Sequence, residues 1–173
     1  MKRIAFFVTA IVLCGAASAR AQNAGELYRE GLHAARTGQQ EFAFMNYHSI
    51  VAQEKASKYR DEALFGCGEY YFAGKSYQEA QRMFTAYVTE YPMGRGVPFA
   101  LAYLYKLTDE FGMPGDLNAL KKQLITYAQL SLVFREFKEF AFRSPMNTPY
   151  SARYYIDRIE MSRQGEALAA IRF

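Results

Sequence analysis

The chain contains few of the residues that build cross-links and metal sites. Its 173 residues include two cysteines, two histidines and no tryptophan. So few cysteines exclude a disulfide-rich scaffold, in which several bridges replace a large hydrophobic core. His33 and His48 have no cysteine or carboxylate neighbours at the spacing of a zinc site. The sequence therefore predicts neither a metal nor a cofactor, and it predicts a fold held together by a hydrophobic core.

A strong excess of charge of either sign is also absent. The formal net charge is +4, but Lys2, Arg3 and Arg20 lie in an N-terminal segment that has no acidic residue. The rest of the chain carries 18 basic residues against 17 acidic ones. Nucleic acid is therefore not an expected partner, because proteins that bind it concentrate positive charge along the contact surface.

The N-terminus has the pattern of a secretory signal peptide. A basic start is followed by an apolar run from Ile4 to Leu13, and Ala19-Arg20-Ala21 has the small residues of a cleavage site. A membrane anchor, the alternative, needs about 20 apolar residues, roughly twice the length of this run. We expect a signal peptide over residues 1–21, export to the periplasm, and one folded domain over residues 22–173.

Cys14 lies within this leader and leaves two interpretations open. If cleavage follows Ala21, Cys14 is removed and Cys67 is the only thiol of the mature chain. A bacterial lipoprotein would instead carry its lipid on Cys14, although lipoprotein signals have a small residue before the cysteine and Leu13 stands there. Membrane association is therefore expected only through lipid at Cys14 or through a partner protein.

Two stretches of the chain share one pattern of small and large residues, 37 positions apart. The pattern is a small residue on one amphipathic helix, a small residue on the next helix, and an aromatic residue one turn later: Gly31, Ala43 and Tyr47, then Gly68, Ala80 and Phe84. Small residues let two helices approach closely, and the aromatic ring fills the space beside them. A period of this length indicates stacked helical hairpins.

The rest of the chain is also predicted to be helical. Asp116 follows a proline and a glycine and is expected to cap a long helix over Leu117–Phe142, with Pro145 as a stop signal. Thr148 and Pro149 are expected to begin a last helix that runs to about Arg172. The predicted fold class is therefore all-α: a tetratricopeptide-like helical-repeat solenoid of about three helix pairs.

The middle repeat, from Glu62 to Phe84, resembles the tetratricopeptide repeat. Together with the leader, the phrase FTAYVTEYP at 84–92 and TPYSARYYIDRI at 148–159, it makes the chain resemble the BamD family, the tetratricopeptide subunit of the outer-membrane β-barrel assembly machinery. The resemblance implies a truncated or divergent family member without enzymatic activity. Such a scaffold would lie at the inner face of the outer membrane and bind partner subunits or unfolded outer-membrane proteins. The alternative is a periplasmic adaptor of the CpoB group, which is associated with the Tol system.

The resemblance also implies a peptide-binding groove on the first helix of each pair. The residues at groove positions are Tyr28, Leu32, Arg36, Glu62, Phe65, Glu69 and Phe72. Aromatic anchors between charged edges suit an extended or helical peptide. The alternative is that Phe65 and Phe72 pack against neighbouring repeats, because aromatic residues at helical spacing are more often core residues.

No group of residues in the sequence indicates catalysis. Glu62 and Glu69 are seven positions apart, hence on one helical face, as a pair of glycosidase carboxylates could be. Carboxylates on a helix face are more often solvated, and Cys67 fits a small buried apolar residue better than a nucleophile. A cell-wall hydrolase on a helical scaffold is therefore the least favoured class, and no enzymatic activity is expected.

Overall fold

The computed structural model describes residues 23–53, 56–133 and 139–172. The predicted signal peptide and Cys14 lie outside the described residues. The helices of this part of the chain are α1 (Ala24–Arg36), α2 (Gln40–Gln53), α3 (Arg60–Ala73), α4 (Tyr77–Glu90), α5 (Val97–Asp109) and α6 (Leu117–Val133). The strands that follow them are β1 (Glu139–Arg143), β2 (Pro149–Tyr154), β3 (Arg158–Arg163) and β4 (Glu166–Arg172).

The first four helices form two hairpins, and the predicted contact of small against large residues is confirmed in both. A Cβ atom on Gly31 would lie 2.6 Å from the Tyr47 ring, and a Cβ atom on Gly68 would lie 2.7 Å from the Phe84 ring. Neither position therefore has room for a side chain unless its neighbour moves. The capping prediction for Asp116 is also confirmed, because its Oδ1 accepts hydrogen bonds of 3.0 Å from the backbone N–H groups of Asn118 and Ala119.

The all-α prediction is wrong, because the chain ends in an antiparallel sheet with strand order β1-β2-β3-β4. The helix predicted over Leu117–Phe142 is described only as far as Val133, and Phe142 lies in β1. Pro145 lies in the turn between β1 and β2 rather than at the end of a helix, and Pro149 begins β2 rather than a last helix. The chain is therefore a mixed structure of helical hairpins followed by a sheet.

Alternation of apolar and polar residues explains why this segment is a sheet. In β2 the side chains of Tyr150, Ala152 and Tyr154 are buried, and those of Ser151 and Arg153 between them are exposed. This period of two fits a strand with one face on the core and one face in water. In a helix, Tyr150 and Tyr154 would share one face and Ala152 would lie on the opposite face.

A tight turn between β3 and β4 supports the same conclusion. Gln164 and Gly165 have φ angles of 53° and 85°. Two successive residues with positive φ are the signature of a type I′ turn, whose twist matches that of the two strands it joins. Glycine adopts this conformation without steric cost, so the sequence Gln164-Gly165 favours a hairpin over a continuous helix.

The core lies between the helical hairpins and the inner face of the sheet. Helix α5 is its centre: nine of its 13 residues are buried, and it contacts α4, α6 and β4. A helix that is apolar on nearly every side is stable only when other elements surround it. Over residues 23–53, 56–133 and 139–172, no helix combines the length and the apolar character needed to cross a bilayer.

Candidate functional site

A cleft of about 590 Å³ opens where the turn ends of the helical hairpins meet the turns of the sheet. Its walls come from the α1–α2 turn, the end of α3, the β1–β2 turn and the β3–β4 turn. The polar side chains that line it include those of Arg36, Gln40, Glu69, Asn147, Thr148, Arg163 and Gln164. A hollow of about 680 Å³ along α4 has no buried charged residue among its lining, so the first cleft is the chemically distinctive one.

Glu69 is a carboxylate in the middle of the core. It follows a run of buried residues in α3, and its side chain is only 2% exposed because the sheet packs over this face. Burial raises the pKa of Glu69 to about 7, although the hydroxyl groups of Ser144, Tyr150 and Thr148 partly oppose this shift. Glu69 is therefore close to the midpoint of its titration at neutral pH.

One oxygen of this carboxylate ends a chain of hydrogen bonds through two tyrosines. The Tyr150 hydroxyl lies 2.6 Å from Glu69 Oε1 and donates a hydrogen bond to it. The Tyr103 and Tyr150 hydroxyl oxygens are also 2.6 Å apart. Because Tyr150 has a single proton and gives it to Glu69, Tyr103 must be the donor to Tyr150. Burial raises the pKa values of both tyrosines, so both remain neutral and the chain of donors fixes the carboxylate in place.

The other oxygen of Glu69 and a nitrogen of Arg163 lack such partners. Among the described residues, neither Glu69 Oε2 nor Arg163 Nε makes a hydrogen bond of standard geometry, and both atoms are buried. The positive charge of Arg163 lowers the pKa of Glu69, but these two side chains do not form a direct ion pair within 4.0 Å. A buried polar group without a partner costs about 1–3 kcal/mol.

The β1–β2 turn that borders the cleft is attached to the first helical hairpin. The hydroxyl of Tyr47 in α2 donates a 2.9 Å hydrogen bond to the carbonyl oxygen of Pro145. Within the turn, the backbone N–H of Ser144 donates to the carbonyl of Thr148 at 2.9 Å, and the Thr148 N–H donates to Ser144 Oγ at 3.2 Å. These bonds place the turn against α3 and keep Thr148 beside Glu69.

The structure separates the predicted groove residues into three environments. Arg36 and Glu69 line the cleft together. Phe65 is 1% exposed, and its ring packs edge-on against the rings of Phe84 and Phe142, at centroid distances of 5.6 and 5.2 Å. Phe65 is therefore a core residue that joins the hairpins to the sheet, in agreement with the packing alternative, and it does not lie on an open surface.

The remaining groove residues lie away from the cleft. Tyr28 stacks on Tyr59 with a centroid distance of 4.4 Å, and its hydroxyl donates a hydrogen bond to Glu62. Leu32 is half-buried on α1. Phe72 is half-buried as well, with its ring 4.8 Å from that of Tyr103. Because the sheet covers α3 at Phe65 and Glu69, these side chains do not form one continuous groove.

Sequence reasoning missed Tyr103, Thr148, Tyr150 and Arg163. The alternation in β2 places Tyr150 on the inner face of a strand, and the turn after Arg163 marks the end of another strand, so both had a local signal. Tyr103 had none, because it is one of many apolar residues of α5. Tyr103 belongs to the site only because the sheet covers its face of α5, and this packing depends on contacts between residues far apart in the chain.

The remaining reactive residues do not extend this site. Cys67 is buried, and burial raises the pKa of its thiol, which disfavours the nucleophilic thiolate. His33 and His48 are exposed on α1 and α2. In the part of the chain that the structure describes, no three histidine, cysteine or acidic side chains come together as a metal site would require. Comparison with protein-family models and with curated proteins finds no match for the chain.

Proposed function

We propose that this protein is an exported, non-enzymatic scaffold that binds other proteins of the cell envelope. Its proposed partners are those of BamD, the family that the sequence resembles: subunits of the β-barrel assembly machinery and segments of unfolded outer-membrane proteins. The observation that carries the proposal is the repeated helical hairpin. The contact of Gly31 with Tyr47 recurs 37 residues later as the contact of Gly68 with Phe84. Stacked hairpins of this kind present adjacent helices as a protein-binding surface.

The surroundings of the buried carboxylate support a role without catalysis. Tyr150, which donates a hydrogen bond to Glu69 Oε1, has a pKa well above 10 because it is buried, so the two cannot exchange a proton near neutral pH. Glu62, which a glycosidase-like pair would place beside Glu69, does not line the cleft that holds Glu69. Neither an acid–base pair nor an activated nucleophile is assembled around Glu69.

The accessible face of α2 is the partner surface that the hairpins favour. Phe42 and Met45 are 52% and 60% exposed, and they lie one helical turn apart. Side chains three positions apart lie side by side on a helix, so the two form one apolar patch. Large apolar side chains at the centre of an interface supply most of the binding energy, whereas charged rim residues set orientation and association rate.

Copurification from the native envelope tests this proposal. We expect tagged full-length protein to retain subunits of the assembly machinery, identified by mass spectrometry. A variant with Phe42→Ser and Met45→Ser should lose at least about nine-tenths of them, since each lost anchor is worth about 1–2 kcal/mol. Met93→Ser is the matched control, because Met93 is 93% exposed but lies on the turn after α4.

The identity of the captured proteins separates the two envelope systems. Subunits of the Tol system in place of assembly subunits would support the CpoB-type alternative and contradict the BamD-like assignment. Equal capture by the double variant and by wild type would exclude the α2 face as the partner surface.

The intact mass of the protein isolated from its native envelope tests export. We expect either an N-terminus at Gln22 or a lipid-bearing Cys14. A chain that still begins at Met1 would contradict export.

A further inference from the structure

The cleft presents two groups of opposite charge that do not pair with each other. Within the described part of the chain, neither Glu69 Oε2 nor Arg163 Nε makes a hydrogen bond of standard geometry. The hydroxyls of Ser144 and Thr148 lie near the carboxylate, and those of Tyr103 and Tyr150 lie near the guanidinium. Both side chains line the same cleft. Opposite charges in a shared low-dielectric site normally close into an ion pair with direct hydrogen bonds. A site that keeps them apart is suited to a ligand that carries one group for each.

The groups cannot easily turn away from the cleft to find partners elsewhere. Oε1 of Glu69 is held by the hydrogen bonds from Tyr150 and, behind it, Tyr103. Arg163 ends β3 immediately before the tight Gln164-Gly165 turn, and the strand and the turn together fix the position of its backbone. Binding groups that are already held in position lose little conformational entropy when a ligand arrives, and this strengthens binding.

The charges in the cleft favour a zwitterion over a simple ion. Arg36 and Arg163 contribute two positive charges, and Glu69 contributes one negative charge when it is ionised. A purely cationic ligand would meet two arginines, and a purely anionic ligand could pair with Glu69 only in its protonated form. A ligand with an ammonium group and a carboxylate group satisfies all three side chains.

The size and the walls of the cleft fit a small ligand of this kind. A volume of about 590 Å³ lies within the usual range of about 300–1,000 Å³ for small-molecule sites. Tyr70 is half-buried and Met146 is buried, so they supply an apolar wall for the rest of the ligand. Arg36 and Gln40 are exposed and stand at the opening towards solvent.

We infer that this cleft binds a free amino acid or a dipeptide, whose ammonium group is held by Glu69 and whose carboxylate is held by Arg163 and Arg36. The site is independent of the α2 face proposed to contact partner proteins, since neither Phe42 nor Met45 lines it. A failure to find this ligand would leave the scaffold proposal unaffected. A failure to capture partner proteins through α2 would likewise leave the ligand proposal unaffected.

Binding of an ammonium group should release a proton near neutral pH. The pKa of Glu69 is about 7, so the carboxyl is about half protonated at that pH. A bound cation favours the ionised form and lowers this pKa. The groups that face Glu69 from the surrounding elements are Arg36 of α1, Tyr47 of α2, Tyr103 of α5, Tyr150 of β2 and Arg163 of β3. Burial keeps the three tyrosines neutral, so Glu69 is the source of the proton.

Calorimetry on the purified full-length protein tests the inference. The probes are the free L-amino acids and diglycine, each up to about 10 mM, a range that detects even a millimolar Kd. We expect at least one zwitterion to bind and to release about half a proton at pH 7, measured from the heat in buffers of different ionisation enthalpy. Its N-acetyl and its carboxamide derivatives should each bind at least about tenfold more weakly, because each lacks one charge. No binding by any probe, or equal binding by both derivatives, would overturn the inference.

Substitutions assign the two ends of the ligand. Glu69→Gln should weaken binding at least about tenfold and abolish proton release, since the amide keeps the shape but not the charge. Arg36→Gln should weaken binding as well, and its exposure means that the fold does not depend on it. The matched control is Arg29→Gln, because Arg29 is exposed on the same helix and does not line the cleft. Unchanged affinity in Arg36→Gln would contradict the assignment even if Glu69→Gln failed to fold.

Discussion

The two interfaces of this molecule are built from opposite chemistry. Where one helix of a hairpin meets the other, glycine and alanine lie against aromatic rings, as Gly68 does against Phe84. Where the helices meet the sheet, a carboxylate and two tyrosine hydroxyls form a buried chain of hydrogen bonds. The hairpins are thus specified by shape, whereas the position of the sheet is specified by aromatic packing together with buried polar groups that hydrogen-bond to each other. Substitutions at each interface, with the stability of the folded protein as the readout, test this difference.

The largest effect is expected at Phe65, the residue that belongs to both interfaces. Its ring contacts Phe84 and Tyr87 in the hairpin and Phe142 and Tyr150 in the sheet, with centroid distances of 5.6, 5.5, 5.2 and 5.8 Å. Phe65→Ala should lower the free energy of unfolding by about 3–5 kcal/mol, because it leaves a cavity at the junction. Urea titration followed by circular dichroism measures the loss. A loss below about 1 kcal/mol would show that the sheet does not pack on α3.

The next effect concerns the polar interface and depends on pH. Because the pKa of Glu69 rises from an ordinary 4.5 to about 7 on folding, the folded state holds a proton that the unfolded state has already released. The contribution of Glu69 to stability is therefore full below about pH 4.5 and is lost as pH rises through 7. A shift of this size corresponds to on the order of 3 kcal/mol.

Glu69→Gln isolates this contribution from those of other titrating groups. The stability of wild type relative to Glu69→Gln should decrease between pH 5 and pH 8, as measured by urea titration at both pH values. Glu41→Gln is the control for removing a glutamate charge, since Glu41 is exposed on α2. A difference between wild type and Glu69→Gln that is the same at both pH values would contradict the buried position of Glu69.

At the interface between the two helices of a hairpin, Gly68→Ala should destabilise the protein by about 1–3 kcal/mol. The added methyl group would lie 2.7 Å from the Phe84 ring and force the two helices of the hairpin apart. Gly74→Ala is the control, because a Cβ atom there would meet the carbonyl oxygens of Tyr70 and Tyr71 at ordinary distances of 3.5 and 3.7 Å. Thermal unfolding distinguishes the two variants. Equal melting temperatures for both would show that Gly68 does not face Phe84.

The smallest effect is expected at Cys67, which lies in α3 between the two interfaces. Cys67→Ala removes one buried sulfur atom and should cost about 1 kcal/mol, with no change in partner capture or in ligand binding. Chemical denaturation and the copurification experiment together check this. A folded variant without either binding activity would show that the thiol has a chemical role.

The hairpins could be predicted from the sequence because their contacts are local. Gly31 and Tyr47 are 16 positions apart, and the repeat of their pattern at Gly68 and Phe84 shows which residues face each other. The cap at Asp116 is likewise visible in a few consecutive residues. These signals depend only on helix geometry and on the sizes of neighbouring side chains.

The sheet had a local signal, and the candidate site had very little. The period-two alternation in β2 and the Gln164-Gly165 turn both favour strands, but the prolines at 145 and 149 also fit the ends of helices, and the repeat pattern favoured that interpretation. Glu69 and Tyr150 are 81 residues apart, and Tyr103 and Tyr150 are 47 apart. Their contact follows from where the sheet docks, which no single segment of the sequence determines.

The titration of one carboxyl group tests this account most directly. Carbon-13 NMR of glutamate-labelled full-length protein, with Glu69→Gln to assign the signal, measures the pKa of Glu69. A pKa near 7 is expected if the sheet covers α3, because burial raises the pKa of Glu69 more than the hydrogen bond from Tyr150 lowers it. A value near the ordinary 4.5 would mean that Glu69 is solvated, and it would contradict both the docking of the sheet and the charged cleft.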